Sequence, residues 1–194
     1  MRTPANYRTM KAAALLILVL LGGGCKDQST APNADRALIE PAVSEHGLTP
    51  HYYGLIEEYR SVLAEDPENL AANIALANAL YDAGQWKDAI VYYDRSLHIN
   101  PHNADVITDK GTCYRNLGMI DEAIREYNHA LHIDPVHQNA LYNLGIVYSH
   151  DRKDLPKAIN YWERLLDIAP KHPRADYIHA SIDGFRRALR KGGQ

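Results

Sequence analysis

The chain has 194 residues, of which 46% are hydrophobic and 23% charged, with a formal net charge of -3 and two cysteines. Apolar content of this size supports a packed domain, while the near-neutral charge leaves no basic patch for nucleic acid, and two cysteines rule out a disulfide-based scaffold.

The first 24 residues carry Arg2, Arg8 and Lys11 and no acidic residue, followed by an unbroken apolar run from Ala12 to Leu21. Charge order and length are those of a secretory signal peptide over 1–24. The run is shorter than the roughly 20 residues of a membrane-spanning helix; counting Gly22 to Gly24 makes an uncleaved anchor the alternative. Gly22-Gly23-Gly24-Cys25 resembles the processing site of bacterial lipoproteins. That resemblance implies a diacylglycerol on the Cys25 thiol, cleavage before it, and acylation of the new amino group. Lipoprotein sites usually place leucine three residues before the cysteine, whereas here Leu21 stands four before. The plainer alternative is an ordinary cysteine near a conventional cleavage site. Several acyl chains would attach the protein stably to a membrane, where one chain is marginal. Lys26, in a position where aspartate favours inner-membrane retention in enterobacteria, leans the expectation towards the periplasmic face of the outer membrane.

Residues 25–50 turn to Ser, Thr, Ala, Pro, Asn and charge, with a short apolar patch at Ala37 to Ile39, and read as a lipidated cysteine on a flexible tether. Such a tether raises the effective concentration of membrane-proximal partners. Without Arg2, Arg8 and Lys11 the mature chain carries about -6, so an electrostatic partner is expected to be basic.

Tyr52 to Asn69 has the phase of a second helix, through Tyr59, Val62 and Pro67, with no obvious first helix before it. Three units of nearly equal length follow, 70–103, 104–137 and 138–172. They close on His98-Ile-Asn-Pro101, His132-Ile-Asp-Pro135 and Asp167-Ile-Ala-Pro170. Apolar residues recur three or four apart, as in Leu76, Leu80 and Ala83, which is helical periodicity. Asn69 and Asn103 stand where N-caps belong, and Gly84 and Gly118 where left-handed turns belong. The third unit carries one extra residue and replaces the turn glycine with 151–156, predicting a more protruding loop; Pro156 suits the first turn of the next helix. A last amphipathic helix, 174–191, predicts a cap on the stack. Its Gly184 costs about 1 kcal/mol relative to alanine, which predicts fraying beyond it.

Each unit places a small residue in its first helix (Ala77, Gly111, Gly145), another early in its second (Ala89, Ala123, Ala158), a large ring one turn later (Tyr93, Tyr127, Trp162) and a closing proline. This pattern resembles the tetratricopeptide repeat family. The resemblance implies an all-α solenoid of three full helix-turn-helix repeats, a leading half repeat and a capping helix, over 51–194. Two departures stand out: the aromatic usual near the start of the first helix is replaced by Asn73, Ile107 and Leu141, and Lys110 occupies a site that holds Leu76 and Leu144 in the sister units. Lys110 reads either as a snorkelling stem with a carboxylate partner or as a cation offered to a ligand.

Helix pairs of this size cannot bury their apolar faces alone, so they stack and expose an extended surface to a partner. Carrying over the family's inner-wall positions gives Ile74, Asn78, Tyr81 and Asp82 from the first unit. The second gives Asp105, Thr108, Thr112, Arg115 and Asn116, and the third Asn139, Tyr142, Ile146, Ser149 and His150. Tyr81 and Tyr142 are the expected anchors for a peptide, and Arg115 the expected partner for a carboxylate. The lysine–asparagine clamp for chaperone tails is incomplete: Asn78 and Asn143 fit, but Ile74 stands where lysine is required.

Ten histidines raise the possibility of a metal, with His129 and His132 three apart and His98 and His132 in equivalent positions. Equivalent sites near helix C-termini are more simply solvent-facing residues suited to the helix dipole. No phosphate loop, dinucleotide fingerprint, nucleophile elbow, zinc motif or haem attachment sequence occurs. The sequence therefore predicts a non-enzymatic scaffold of the bacterial cell envelope, with no cofactor or metal, binding another protein or peptide. An alternative within the same class is an exported module that assists cytochrome c maturation or another envelope assembly pathway.

Overall fold

The structure is a computed structural model that describes residues 50–192. The signal peptide, Cys25 and nearly all of the tether lie outside the described residues. Within them the helices follow in order: α1 (Pro50–Glu65), α2 (Leu70–Asp82), α3 (Trp86–Ile99), α4 (Ala104–Asn116), α5 (Ile120–Ile133), α6 (Gln138–Ile146), α7 (Leu155–Ile168) and α8 (Ala175–Gly192). No described helix is long and apolar enough to cross a membrane. Successive helices pack as antiparallel pairs, α2 with α3, α4 with α5 and α6 with α7, led by α1 and closed by α8. The fold is an all-α solenoid.

Local chemistry sets the boundaries. The side chains of Asn69 and Asn103 accept the backbone N–H of Ala72 at 3.0 Å and of Val106 at 3.2 Å, capping α2 and α4. His137 caps α6 in the same way, its Nδ1 accepting from Ala140 N–H at 3.2 Å. Gly84 and Gly118 take φ of 75° and 76° at the ends of α2 and α4. Their N–H groups donate to Tyr81 O and Arg115 O. The next residues, Gln85 and Met119, donate to Leu80 O and Tyr114 O, the paired closure that satisfies orphan carbonyls at a helix C-terminus.

The core is built by the wedges. Tyr93, Tyr127 and Trp162 are at most 1% exposed, each inserted against the small residue of its own first helix. A Cβ on Gly111 would lie 2.8 Å from Tyr127 Cε1, and one on Gly145 only 2.1 Å from Trp162 Nε1. Trp162 Nε1 donates to Tyr142 O at 3.1 Å, so the larger ring is seated on the neighbouring backbone as well as packed. Lys110 bonds Asp94 at 3.0 Å and Glu126 at 2.9 Å, tying α4 to both flanking second helices, as the snorkelling reading anticipated. Cys113 is fully buried, and burial pushes its thiol up to about 12.

Three expectations need correction. The third unit has no protruding loop: its extra residue is absorbed by a π-helical turn, Val147–Asp151, that continues α6. Arg152 N–H donates to Val147 O, and Asp154 N–H reaches Tyr148 O at 2.8 Å, reproducing the sister turns with one residue more. Lys153, with φ 57°, takes the left-handed place of the missing glycine. Stacking of Tyr148 on Tyr161, with centroids 5.5 Å apart, holds this turn against α7. Secondly, α8 runs through Gly184 to Gly192 without a break, because Ile178 and Ile182 anchor it to the third core cluster before the glycine and Phe185 packs there after it. Thirdly, α1 begins at Pro50, one residue inside the span read as tether.

Candidate functional site

The wall that faces neither flanking second helix is clearest on α4. Val106 and Cys113 pack into the cluster shared with α3, while Ile107 pairs with the α5 cluster and Gly111 with Tyr127. What remains is the stripe Asp105, Asp109, Thr112 and Asn116, spaced three or four apart on one helix face. Beside it, first helices touch one another directly: Asp105 Oδ1 accepts from His137 Nε2 at 3.0 Å, Asn143 Nδ2 reaches Thr112 Oγ1 at 3.4 Å, and Arg115 Nε meets Asp151 Oδ2 at 2.7 Å. The first helices α4 and α6 therefore meet along one inner wall, with Asp82 of α2 within electrostatic reach of its Asp109.

Several of the expected wall residues are on this surface. Asn78, Asp82, Asp105, Asn116, Asn139 and His150 are exposed; Ile74, Tyr81, Thr112, Arg115, Tyr142 and Ile146 are half-buried. Asn78 and Thr112, in equivalent positions, accept the hydroxyls of Tyr93 at 2.7 Å and Tyr127 at 3.2 Å, so the wedges support the wall from behind. In the third unit the equivalent Ile146 has no such bond, because the wedge there is a tryptophan turned to Tyr142 O.

Other candidates are committed internally. Thr108 is 2% exposed and its hydroxyl donates to Ala104 O at 2.8 Å, which removes it from the wall surface. Ser149 is buried and donates to Ile146 O. The carboxylate that Arg115 holds is Asp151 of the π-helical turn, one turn beyond α6. Tyr142 stacks on His172 at 6.0 Å and lies under the Arg174 guanidinium at 5.2 Å, so part of its ring is covered by the linker to α8.

Asp109 is the wall residue that sequence reasoning missed. It is accessible to solvent, yet it lies among the walls of α2, α4 and the cap of α6. Removal from bulk water, with Asp105 and Asp82 nearby, raises its carboxyl from 3.8 to about 6, only partly opposed by His137. A signal existed: Asp109 is four residues after Asp105 and one turn from Thr112 on the same stripe. His137 as a cap was also legible, since it stands 34 residues after Asn103, as Asn103 does after Asn69.

Asp105, His137 and Thr108 lie in a row that invites comparison with a nucleophilic triad. The hydrogen bonds argue otherwise: His137 Nδ1 takes the Ala140 N–H, which leaves Nε2 as donor to Asp105, and the Thr108 hydroxyl is turned to the helix backbone. The row is a helix cap with a second anchor. Among the described residues no group of three His, Cys, Asp or Glu side chains is placed to hold a metal ion.

Tetratricopeptide repeat profiles match residues 56–95, 80–145 and 139–172. No curated protein sequence matches the chain. Among solved structures, that of MamA is 22% identical with a TM-score of 0.60, over 73% of this chain and 91% of that one. A tetratricopeptide repeat protein from Parabacteroides merdae ATCC 43184 is 24% identical with a TM-score of 0.62, over 71% of this chain and 54% of that one. YrrB, described as a TPR protein with an unusual peptide-binding site, is 27% identical with a TM-score of 0.60, over 67% of this chain and 66% of that one.

Proposed function

We propose that this chain, which belongs to the tetratricopeptide repeat family, holds a partner polypeptide along the inner wall of α2, α4 and α6 while Cys25 tethers it by lipid to the bacterial cell envelope. The family and fold make it a protein–protein interaction scaffold. The observation that carries the groove is the stripe Asp105, Asp109, Thr112 and Asn116, which no flanking helix covers, on a wall braced from behind by Tyr93 and Tyr127. The likeness to YrrB, described as having an unusual peptide-binding site, supports a peptide as the kind of partner. A rigid wall of helices binds without paying to order itself, so its affinity comes from a few anchors along an extended partner. The order of charge, apolar run and small residues before Cys25 supports export and lipidation.

Photo-crosslinking residues placed at Asn116 and Asn139 test the wall. They are expected to capture a discrete polypeptide in membranes, while the same probe at Asp88, in the first turn of α3, captures none; equal labelling from both places would refute the groove. Palmitate incorporation that disappears in Cys25→Ser tests the anchor, and a mature protein that starts elsewhere without label would refute it.

A further inference from the structure

Among the described residues one flank is left open. The second helices α3, α5 and α7 are each packed between two neighbours, α2 and α4, α4 and α6, α6 and α8, whereas α1 packs chiefly on α2. Between α1 and α2 lies an open cleft of about 350 Å³. Its lining is mixed, and the apolar part comes from Tyr52, Leu55 and Tyr59 on α1 with Ala75 and Ala79 on α2. Asn78 and Asp82 form its polar edge. Half-buried aromatic and aliphatic side chains beside two alanines fit the apolar face of another helix, with room for it to approach closely.

Charge identifies what kind of segment this is. Asp82, at the edge of the cleft, lies within electrostatic reach of Asp109, which also feels Asp105. Neither Asp82 nor Asp109 has a Lys or Arg partner among the described residues. The cations of α4 are engaged elsewhere, Lys110 with Asp94 and Glu126 and Arg115 with Asp151. A cleft with an apolar side thus carries Asp82 at its edge, within electrostatic reach of Asp109, and a cation there would relieve the repulsion between the two carboxylates.

We propose that the α1–α2 cleft takes a cationic amphipathic segment of a partner protein, with its apolar face on Leu55, Tyr59, Ala75 and Ala79 and a lysine or arginine between Asp82 and Asp109. This rests on the groove reading above and adds the partner's chemistry. The cleft supplies the contact area and the carboxylates set orientation, since reversing the segment would move its cation away from Asp82.

A labelled 14-residue helical peptide of leucine and lysine, and a copy with every lysine replaced by glutamate, test it by fluorescence anisotropy against the purified protein. The lysine peptide is expected to bind at least about tenfold more tightly than the glutamate copy. Asp82→Asn with Asp109→Asn is expected to weaken it about tenfold, and Ala75→Arg to weaken it similarly, with helicity by circular dichroism unchanged. Asp88→Asn with Asp176→Asn, away from the cleft, should leave binding as it was. Equal losses from the two asparagine pairs would mean diffuse charge attraction and overturn the proposal, as would equal binding of both peptides. Concentration-dependent self-association lost in Ala75→Arg would make a second copy the occupant and overturn it too. If neither peptide binds while the Asn116 and Asn139 crosslinks persist, the cationic assignment fails and the groove stands; if the lysine peptide binds as described but those crosslinks vanish, only the groove reading fails.

Discussion

The second and third units follow one 34-residue plan and use it in opposite ways. In the second, a tyrosine wedge lends its hydroxyl to Thr112, whose own hydroxyl goes to Thr108 O, and Asp109 and Asn116 are left exposed on the wall beside it. In the third, the wedge is Trp162, which bonds the backbone of its own first helix and gathers Tyr142, Tyr177 and Phe185 around it. Its chain then passes through a π-helical turn whose Asp151 reaches back to Arg115. The lesson is that a side chain in a binding position is available only if its own neighbours leave it so. Arg115 and Tyr142, natural anchors on sequence grounds, are engaged from the third unit, whereas Asp82 and Asp109 are not.

The contrast can be broken most severely at the wedges. Gly145→Ala should cost about 3 kcal/mol, because its Cβ would fall 2.1 Å from the fixed Trp162 ring; Gly111→Ala should cost about 1 kcal/mol, since Tyr127 is farther away and alanine favours the helix. Urea unfolding of the two variants tests the ranking, and equal losses would contradict the account of the third wedge. The turns come next. Lys153→Gly should stabilise by about 1 kcal/mol, relieving a left-handed lysine, and Gly118→Lys should destabilise by a similar amount, read from melting temperatures.

A smaller effect is expected at the bridge between the units. Asp151→Asn should cost about 0.5 kcal/mol, as for a partly exposed pair, while raising crosslinking yield from Asn116 by releasing the neighbouring Arg115. Smallest is the pH response of Asp109, which is faced by Asp105 and Cys113 on its own helix, Asp82 on α2, Tyr93 on α3, and His137 at the cap of α6. Its native carboxyl titrates at about 6, above its ordinary value, so the native state holds the proton longer than the unfolded chain. Stability from this group is present below about pH 4 and is lost as pH rises through about 6. Asp109→Asn should therefore raise the melting temperature at about pH 7.5, with the gain shrinking towards about pH 4; a constant difference would assign it to packing instead.

The repeat boundaries, caps and wedges were legible because each depends on one residue type in a fixed place: a small residue under a ring, an asparagine before a helix, a glycine after one. The π-helical turn was not, because an inserted residue can be extruded as a loop or absorbed by widening the helix. Packing of Tyr148 on Tyr161 decides for the second outcome, and that pairing spans two helices. The wall was legible as a set of positions but not as a set of free groups. Whether Thr108 faces the partner or its own backbone, and whether Arg115 waits for a carboxylate or already holds one, depends on neighbours up to 36 residues away.

That reach of 36 residues, from Arg115 to Asp151, is the widest sequence separation bridged by any described side-chain hydrogen bond. Hydrogen bonding within the described residues therefore brings no distant segments together, and the loop-closure cost there stays low. A helix pair can consolidate as soon as the next first helix is available, so folding can begin at any pair and spread along the array, at rates typical of proteins rich in local contacts.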